Sequence, residues 1–427
     1  MGVSASCFQD IPLIQSDKFG YHIHAADSLA TNFQINRDVI ATNQLHRSLC
    51  WVSLANGLLT LPEGCEARCP GCAHRRLHSQ ASGAQKEAWL QKQLAPWREN
   101  FSPLQTVAEQ DRWGYRNRVC LSTRWCEEKW QFGLLSRKEL IAIPRCPVHS
   151  ERTRHMVGLL SQALPPGPVF PMAFYVQSAV QATLILKTHR RPDLLWLTQN
   201  LQRKLIDLGM EGLWLHLHPA VGKRLFTKKG WRLIWGNFRS YDSHGLSYGP
   251  SAFQQLIPAL YRNALDTAET FLSPTQYDSV VDLYCGIGAS LKRWSSRGAR
   301  VLGVELAGEA VECARHNVPQ ALLLRGKCSE RIPQLNEWIK HKTNPNHQSL
   351  LYVNPPRTGI EPQVLEWVIG VFRPQRMAYL SCSAGTLRRD LDRLVSGGYQ
   401  VVRIKPYDFF PQTHHVETLV LLTLTAI

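Results

Sequence analysis

Apolar and polar positions divide the chain into a front part of short alternating runs and a back part of regular strand-helix repeats. From about residue 278, brief aliphatic runs alternate with stretches whose apolar residues recur every three or four positions. The first pattern reads as strands buried on both faces, the second as helices burying one stripe. Strands are expected at 279–286, 300–306, 321–325, 350–354, 377–381, 399–405 and 418–425, with helices at 289–297, 308–317, 329–340, 362–371 and 385–395. This alternation predicts an α/β, doubly wound, Rossmann-like domain whose mostly parallel sheet presents ligands at the carboxyl ends of its strands.

Residues 100–250 follow another rhythm. Short β-rich runs at 119–124, 129–134, 174–185 and 212–218 are separated by turns, with one helix expected at 194–208. The expected organisation is therefore an N-terminal segment of unclear fold at 1–60 and a cysteine-bearing segment at 61–150 that runs into the next unit. A β-rich α+β central domain follows at 100–250, and a Rossmann-like domain at 251–427. A chain of 427 residues is long enough for such separate cores.

No apolar run approaches the roughly 20 residues that cross a bilayer. The start of the chain lacks a basic-then-apolar leader, so a cytoplasmic protein with no membrane role is expected. The net charge of +16 favours a polyanionic partner. A merely solubilising charge is the alternative, and placement argues against it. Cations interleave with aromatics in Arg112-Trp113-Gly114-Tyr115-Arg116-Asn117-Arg118 and Arg124-Trp125, and recur at Lys187-Thr188-His189-Arg190-Arg191, Lys223-Arg224 and Lys228-Lys229. Aromatic faces that stack bases beside cations that hold phosphates suit single-stranded RNA.

Chemistry concentrates in four places. Asp282-Leu283-Tyr284-Cys285-Gly286-Ile287-Gly288 follows an apolar strand and opens a helix. Its glycines allow a tight turn against a cofactor, and Glu305, ending the next strand, can take ribose hydroxyls. That much would serve a dinucleotide enzyme as well as a methyl donor. Asn354-Pro355-Pro356-Arg357 ends the fourth strand as a polar pocket edge. Cys382, in Ser381-Cys382-Ser383, lies where a strand gives way to a helix, a start that favours thiolate. Glu417 opens the last strand. A thiolate and a carboxylate on one pocket are what C5 methylation of a pyrimidine requires. The thiolate adds to C6 to make C5 nucleophilic, and the carboxylate later removes the C5 proton.

These motifs resemble the RNA (uracil-5-)-methyltransferases. So do Ser251-Ala252-Phe253-Gln254, Thr386-Leu387, Tyr115–118 and the run Phe410-Pro411-Gln412-Thr413-His414-His415-Val416-Glu417. The resemblance spans roughly 65–427 and is greatest to the iron-sulfur-containing 23S ribosomal RNA (uracil-5)-methyltransferases. It implies Cys382 as nucleophile, Glu417 as base, and S-adenosyl-L-methionine and the target base held by Gln254, Asp282, Tyr284, Gly286, Gly288, Glu305 and Asn354. It further implies a structured RNA substrate, 23S rRNA foremost. A tRNA substrate, or an RNA-binding or assembly factor that has lost its chemistry, stands as the alternative.

The remaining signal is the cysteines. Twelve in a chain without a leader point to metal or catalysis rather than disulfides. Cys65-x3-Cys69-x2-Cys72 has the spacing of radical S-adenosylmethionine enzymes, but the chain already carries a separate donor fold and nucleophile. Cys146, in Ile143-Pro144-Arg145-Cys146-Pro147, resembles a distal fourth ligand. Four thiolates would close a [4Fe–4S] cluster or a tetrahedral zinc site, and the resemblance favours the cluster. Cys285, Cys313 and Cys328 read as packing residues. Three departures from the family pattern stand out: Asn354 where most relatives have Asp, a Cys65–Cys69 gap shorter than is common, and Gly326-Lys327-Cys328-Ser329 where Gly-Asp is usual. The last removes a carboxylate expected on the adenine amine.

Overall fold

The computed structural model describes residues 59–222, 224–340 and 347–425. Nearly all of the expected 1–60 segment, and Lys223 of the basic run, therefore lie outside the described residues.

Among the described residues two seven-stranded sheets dominate. The first comprises β1 (Arg118–Cys126), β2 (Lys129–Ser136), β3 (Glu139–Ala142), β4 (Met172–Ser178), β5 (Gln181–Leu186), β6 (Gly212–Leu217) and β7 (Trp231–Gly236), in the order β3-β2-β1-β4-β5-β6-β7. Only β5 and β6 pair in parallel, and helix Gln199–Asp207 makes the crossover between them. The single run expected at 174–185 is a hairpin. Ala179 takes φ 54° and turns the chain, so that Gln177 pairs with Ala182. Helices Glu151–Ala163 and Gln199–Asp207 bury Met156, Val157, Leu160, Leu201 and Leu205 against Val119, Leu121, Phe132 and Tyr175. A short ribbon, β8 (Ser240–Tyr241) with β9 (Ser247–Tyr248), follows.

The second sheet comprises β10 (Ser279–Leu283), β11 (Arg300–Glu305), β12 (Leu322–Arg325), β13 (Ser349–Val353), β14 (Arg376–Ser381), β15 (Tyr399–Tyr407) and β16 (Glu417–Leu424). Its order is β12-β11-β10-β13-β14-β16-β15; β12 to β14 run parallel, and β16 is antiparallel to both β14 and β15. This is the expected doubly wound, Rossmann-like sheet with an antiparallel closing pair. Its strands are apolar throughout because helices cover both faces: Val280, Val281, Leu283, Leu350, Leu351 and Val353 are fully buried. The order reverses between β10 and β13, and the crevice at such a switch point is where ligands bind in these sheets. The helix expected at 362–371 is Pro362–Trp367 continued by a wider turn, Val368–Phe372.

The chain between the cysteines and β1 lies largely on this second sheet. Helix Ser79–Gln93 delivers Leu90, and the following Leu94, to the core that contains Val281 and Leu351. Phe101 and Gln105 then bridge to Ile404 and Tyr407 on the edge strand β15. No helix is expected there from apolar spacing, for a physical reason. The stripe this helix buries is Ser82, Gly83, Lys86 and Leu90, three of them not hydrophobic.

Candidate active site

A cleft of about 1270 Å³ opens at the carboxyl ends of β10, β11, β13 and β14, and is walled on the far side by Asn117, Arg118 and Ala179 from the first sheet. No helix among the described residues is long and apolar enough to cross a membrane.

One half of the cleft is the turn after β10. Tyr284, Gly286 and Gly288 all have positive φ, at 62°, 57° and 86°. Gly286 thereby brings its N–H to Glu305 Oε2 at 3.1 Å, while Ala307 N–H reaches Oε1 at 2.7 Å. Glu305 is thus a nearly buried carboxylate fixed by two backbone donors at the tip of β11, with its edge on the cleft. The Tyr284 hydroxyl accepts the Glu361 N–H at 3.3 Å, tying this turn to the loop beyond Pro356. Asn354 and Tyr284 line the same wall. Gln254 lines the opposite one, where its amide oxygen accepts from Arg118 and its nitrogen donates to Asp242 at 3.3 Å.

Asp282 and Gly288 do not line the cleft. The Asp282 carboxylate turns into the protein, where it accepts from the Trp294 indole at 2.9 Å, and burial pushes its pKa up to about 7. Gly288 caps helix Ala289–Ser296, where a side chain would press on Ala314 and Val318. Lys327 is exposed and lies off the cleft, whereas its neighbour Cys328 is buried.

The other half is formed by Pro355, Pro356, Arg357, Cys382, Thr386, Phe410, His415 and Glu417. Asp390, fully buried on helix Ala384–Ser396, accepts the Ile360 N–H at 2.9 Å and the Tyr379 hydroxyl at 2.7 Å. The Thr386 hydroxyl donates to the Arg357 carbonyl at 3.0 Å. These bonds fix the Pro-Pro-Arg loop to the helix that follows Cys382. Cys382 and Glu417 are electrostatically coupled. Burial, and then the Glu417 charge, push the thiol up to about 12, with Arg357 opposing. Burial likewise raises the Glu417 carboxyl to about 7, again with Arg357 opposing, and its Oε2 has no hydrogen-bond partner in the protein. The expectation that a helix start makes Cys382 a resting thiolate is therefore corrected: desolvation and an adjacent carboxylate outweigh the helix dipole.

Two contributors had no role assigned from sequence. Arg357 faces both Cys382 and Glu417 and approaches the His415 ring at 3.5 Å. Its position directly after two prolines at a strand end was the available signal. Arg118, reaching Gln254 from the first sheet, was signalled by the basic-aromatic run and by the Tyr115-Arg116-Asn117-Arg118 resemblance, neither of which gave it a role.

Cys65, Cys69, Cys72 and Cys146 lie elsewhere, against the first sheet beside Leu134. Each thiol is within electrostatic reach of the other three. The Gly71 N–H donates to Cys69 Sγ at 3.4 Å, and Arg75 holds the loop through the carbonyls of Ala67, Cys69 and Cys72. Among the described residues no three His, Cys, Asp or Glu side chains are grouped to hold a single metal ion.

Residues 338–425 match the family model described as tRNA (Uracil-5-)-methyltransferase. The chain is 27% identical over 388 residues to an uncharacterized RNA methyltransferase of Listeria innocua, covering 84% of this chain and 82% of the relative. It is 28% identical over 365 residues to a 23S rRNA (uracil(1939)-C(5))-methyltransferase of Marinomonas sp., covering 83% and 78%. Among solved structures, a Pyrococcus abyssi tRNA (uracil-54, C5)-methyltransferase bound to S-adenosyl-L-homocysteine superposes with a TM-score of 0.61 at 19% identity, over 83% of this chain and 86% of that one. It shares the fold. The matched C-terminal segment and the relatives make the chain similar to the RNA (uracil-5-)-methyltransferases, and its fold is shared with one of them.

Proposed function

We propose that this protein methylates C5 of a uridine in 23S ribosomal RNA in the cytoplasm, with S-adenosyl-L-methionine as donor. The observation that carries this reading is the coupled pair Cys382 and Glu417, set on the wall of a cleft whose opposite half is the Glu305-anchored glycine turn. The 23S assignment draws on the Marinomonas relative, similar along most of both chains. RNA as partner also accords with the net charge of +16.

In this mechanism Gln254, Tyr284, Gly286, Glu305 and Asn354 hold donor and base, while Asp282 and Gly288 shape the turn from behind. S-adenosyl-L-methionine supplies the methyl group when bound. The target uridine leaves its stack to enter the cleft. The Cys382 S–H bond breaks as Sγ bonds to C6, its proton passing to water at the mouth of the cleft, a loss eased by the Arg357 guanidinium. The electrons of the C5–C6 double bond move onto the ring and make C5 the nucleophile that takes the methyl group. Arg357 also offsets the negative charge that develops on the ring. Glu417, with Oε2 unpartnered in a dry site, then takes the C5 proton, so that the C6–S bond breaks and the aromatic ring returns.

Cys65, Cys69, Cys72 and Cys146 are proposed to hold a [4Fe–4S] cluster that joins the N-terminal segment to the first sheet. With four thiolates it has no open iron and takes no part in methyl transfer.

Deleting the gene and mapping 5-methyluridine by mass spectrometry tests the reading. Loss at one 23S position supports it, and loss in tRNA moves the activity to that substrate. An unchanged pattern in both overturns the catalytic reading in favour of an RNA-binding factor.

A further inference from the structure

The loop that carries Glu417 into the cleft is held by chain far away in sequence. Residues 408–416 connect β15 to β16, and Tyr407, just before the loop, pairs with Glu417, just after it. Asp408 is fully buried at the base of this hairpin. Lys86 Nζ donates to its Oδ1 at 2.5 Å and to the Phe410 carbonyl at 3.1 Å, and Arg112 Nη1 stands 3.6 Å from its Oδ2. Arg112 also donates to the Pro411 carbonyl at 3.2 Å, and the His74 N–H to the Gln412 carbonyl at 3.0 Å. The Gln412 amide returns a bond to the Arg112 carbonyl at 3.3 Å, and the Gln105 carbonyl receives the Asp408 N–H at 2.8 Å. Residues 408–412 are thus gripped at successive backbone and side-chain atoms by residues 74–112, the stretch between Cys72 and β1.

Two buried cations around one buried anion is an expensive way to fasten a hairpin. Lys86 and Arg112 are each about 1% exposed, and burial, opposed by Asp408, depresses the Lys86 ammonium. An apolar plug would hold a loop of this size at lower desolvation cost. What the ion cluster adds is direction: its bonds fix where Asp408, Phe410 and Pro411 lie, and these set the approach of His415 and Glu417 to Cys382. We infer that Asp408, clamped by Lys86 and Arg112, is a positioning residue that holds Glu417 in line for the C5 proton. The segment after the cysteines is thereby a working part of the active site and not only an RNA-facing appendage. This rests on the proposed function, in which Glu417 is the base.

The test uses the full chain with unmodified 23S rRNA and S-adenosyl-L-methionine. Lys86→Met leaves Arg112 and Asp408 as a balanced pair, so this variant should fold, whereas Asp408→Asn leaves Lys86 buried with no counter-charge and Arg112 with only the exposed Glu109. For Lys86→Met the expected result is covalent RNA adduct formed as in the unaltered protein, but released more slowly. A misplacement near 1 Å can cost roughly 100-fold. S-adenosyl-L-homocysteine affinity should be unchanged. Hydrogen–deuterium exchange should quicken over 409–417 while β10 and β14 stay protected, and this readout needs no chemistry. Unaltered exchange over 409–417 together with unaltered release overturns the inference. So does a uniform loss of adduct, ligand affinity and melting temperature, which would mark a merely structural role. If the unaltered protein neither methylates nor forms adduct, the proposed function fails while the exchange measurement still decides the clamp.

Discussion

Cys382 and Glu417 meet across the ends of two antiparallel strands. Ser381, the last residue of β14, pairs with Thr418 of β16, and one further step in the same register sets Cys382 beside Glu417. Thirty-five positions apart in sequence, the two become neighbours on one cleft wall because β16 is inserted between β14 and β15. Burial is the main cause of both shifts: it pushes the thiol up to about 12, with the neighbouring Glu417 charge adding to the rise, and the carboxyl up to about 7, with Arg357 opposing in each case.

Separating the two roles is the first expectation. Cys382→Ala should abolish both product and adduct on unmodified rRNA while RNA binding persists. Glu417→Gln should form adduct and fail to release it, visible as an RNA-retarded band on a denaturing gel. Equal loss of adduct in both variants would refute the division of labour.

The second concerns pH. Glu417 acts as base only when ionised, so release of methylated RNA should rise with pH through about 7 and then level off, with adduct accumulating near pH 5.5. Stability should move the opposite way. A carboxyl raised in the folded state contributes stability below its unfolded pKa of 4.5, and that contribution fades as pH climbs through about 7. Glu417→Gln should remove this slope, about 1–3 kcal/mol between pH 5 and 8. Denaturant titrations at both pH values would show it.

The departure at Lys327 leads to a third. Its side chain is exposed and away from the cleft, so Lys327→Asp should change S-adenosyl-L-homocysteine affinity less than about threefold, as ordinary surface substitutions do. Glu305→Gln should weaken it at least about tenfold, because an amide cannot accept both the Gly286 and Ala307 N–H groups as the carboxylate does. Calorimetry on the two variants distinguishes them. A larger effect at Lys327 than at Glu305 would mean the adenine lies elsewhere.

Anaerobic purification provides the fourth. Brown protein with about four irons per chain is expected from four thiolates around one cluster, and Cys146→Ser should bleach it. Colourless protein carrying one zinc would refute the cluster.

Much of the Rossmann-like half was legible from sequence, down to the helix Gly308–Asn317, which the apolar spacing bounds as observed. Strands buried on both faces and helices with one apolar stripe write their period into the chain. The hairpin at Ala179 and the helix Ser79–Gln93 were not legible. The first depends on one left-handed residue inside a continuous apolar run, and the second buries Ser82 and Lys86 against partners more than 300 residues away.

The same division holds at the site. By itself the sequence determined which chemistry the chain carries: a thiol at a strand end, a carboxylate opening the last strand, a glycine turn with an acid after the next strand, and four cysteines able to converge. Local residue types suffice for that, because the kind of group a side chain carries is fixed by its identity. Only the tertiary structure decided how those groups act. Strand insertion put Cys382 beside Glu417, burial set both their proton affinities, and Asp282 turned inward to Trp294. It also brought Lys86 and Arg112 under the loop that leads to Glu417. Proximity and desolvation belong to pairs of residues distant along the chain, and no local pattern encodes them.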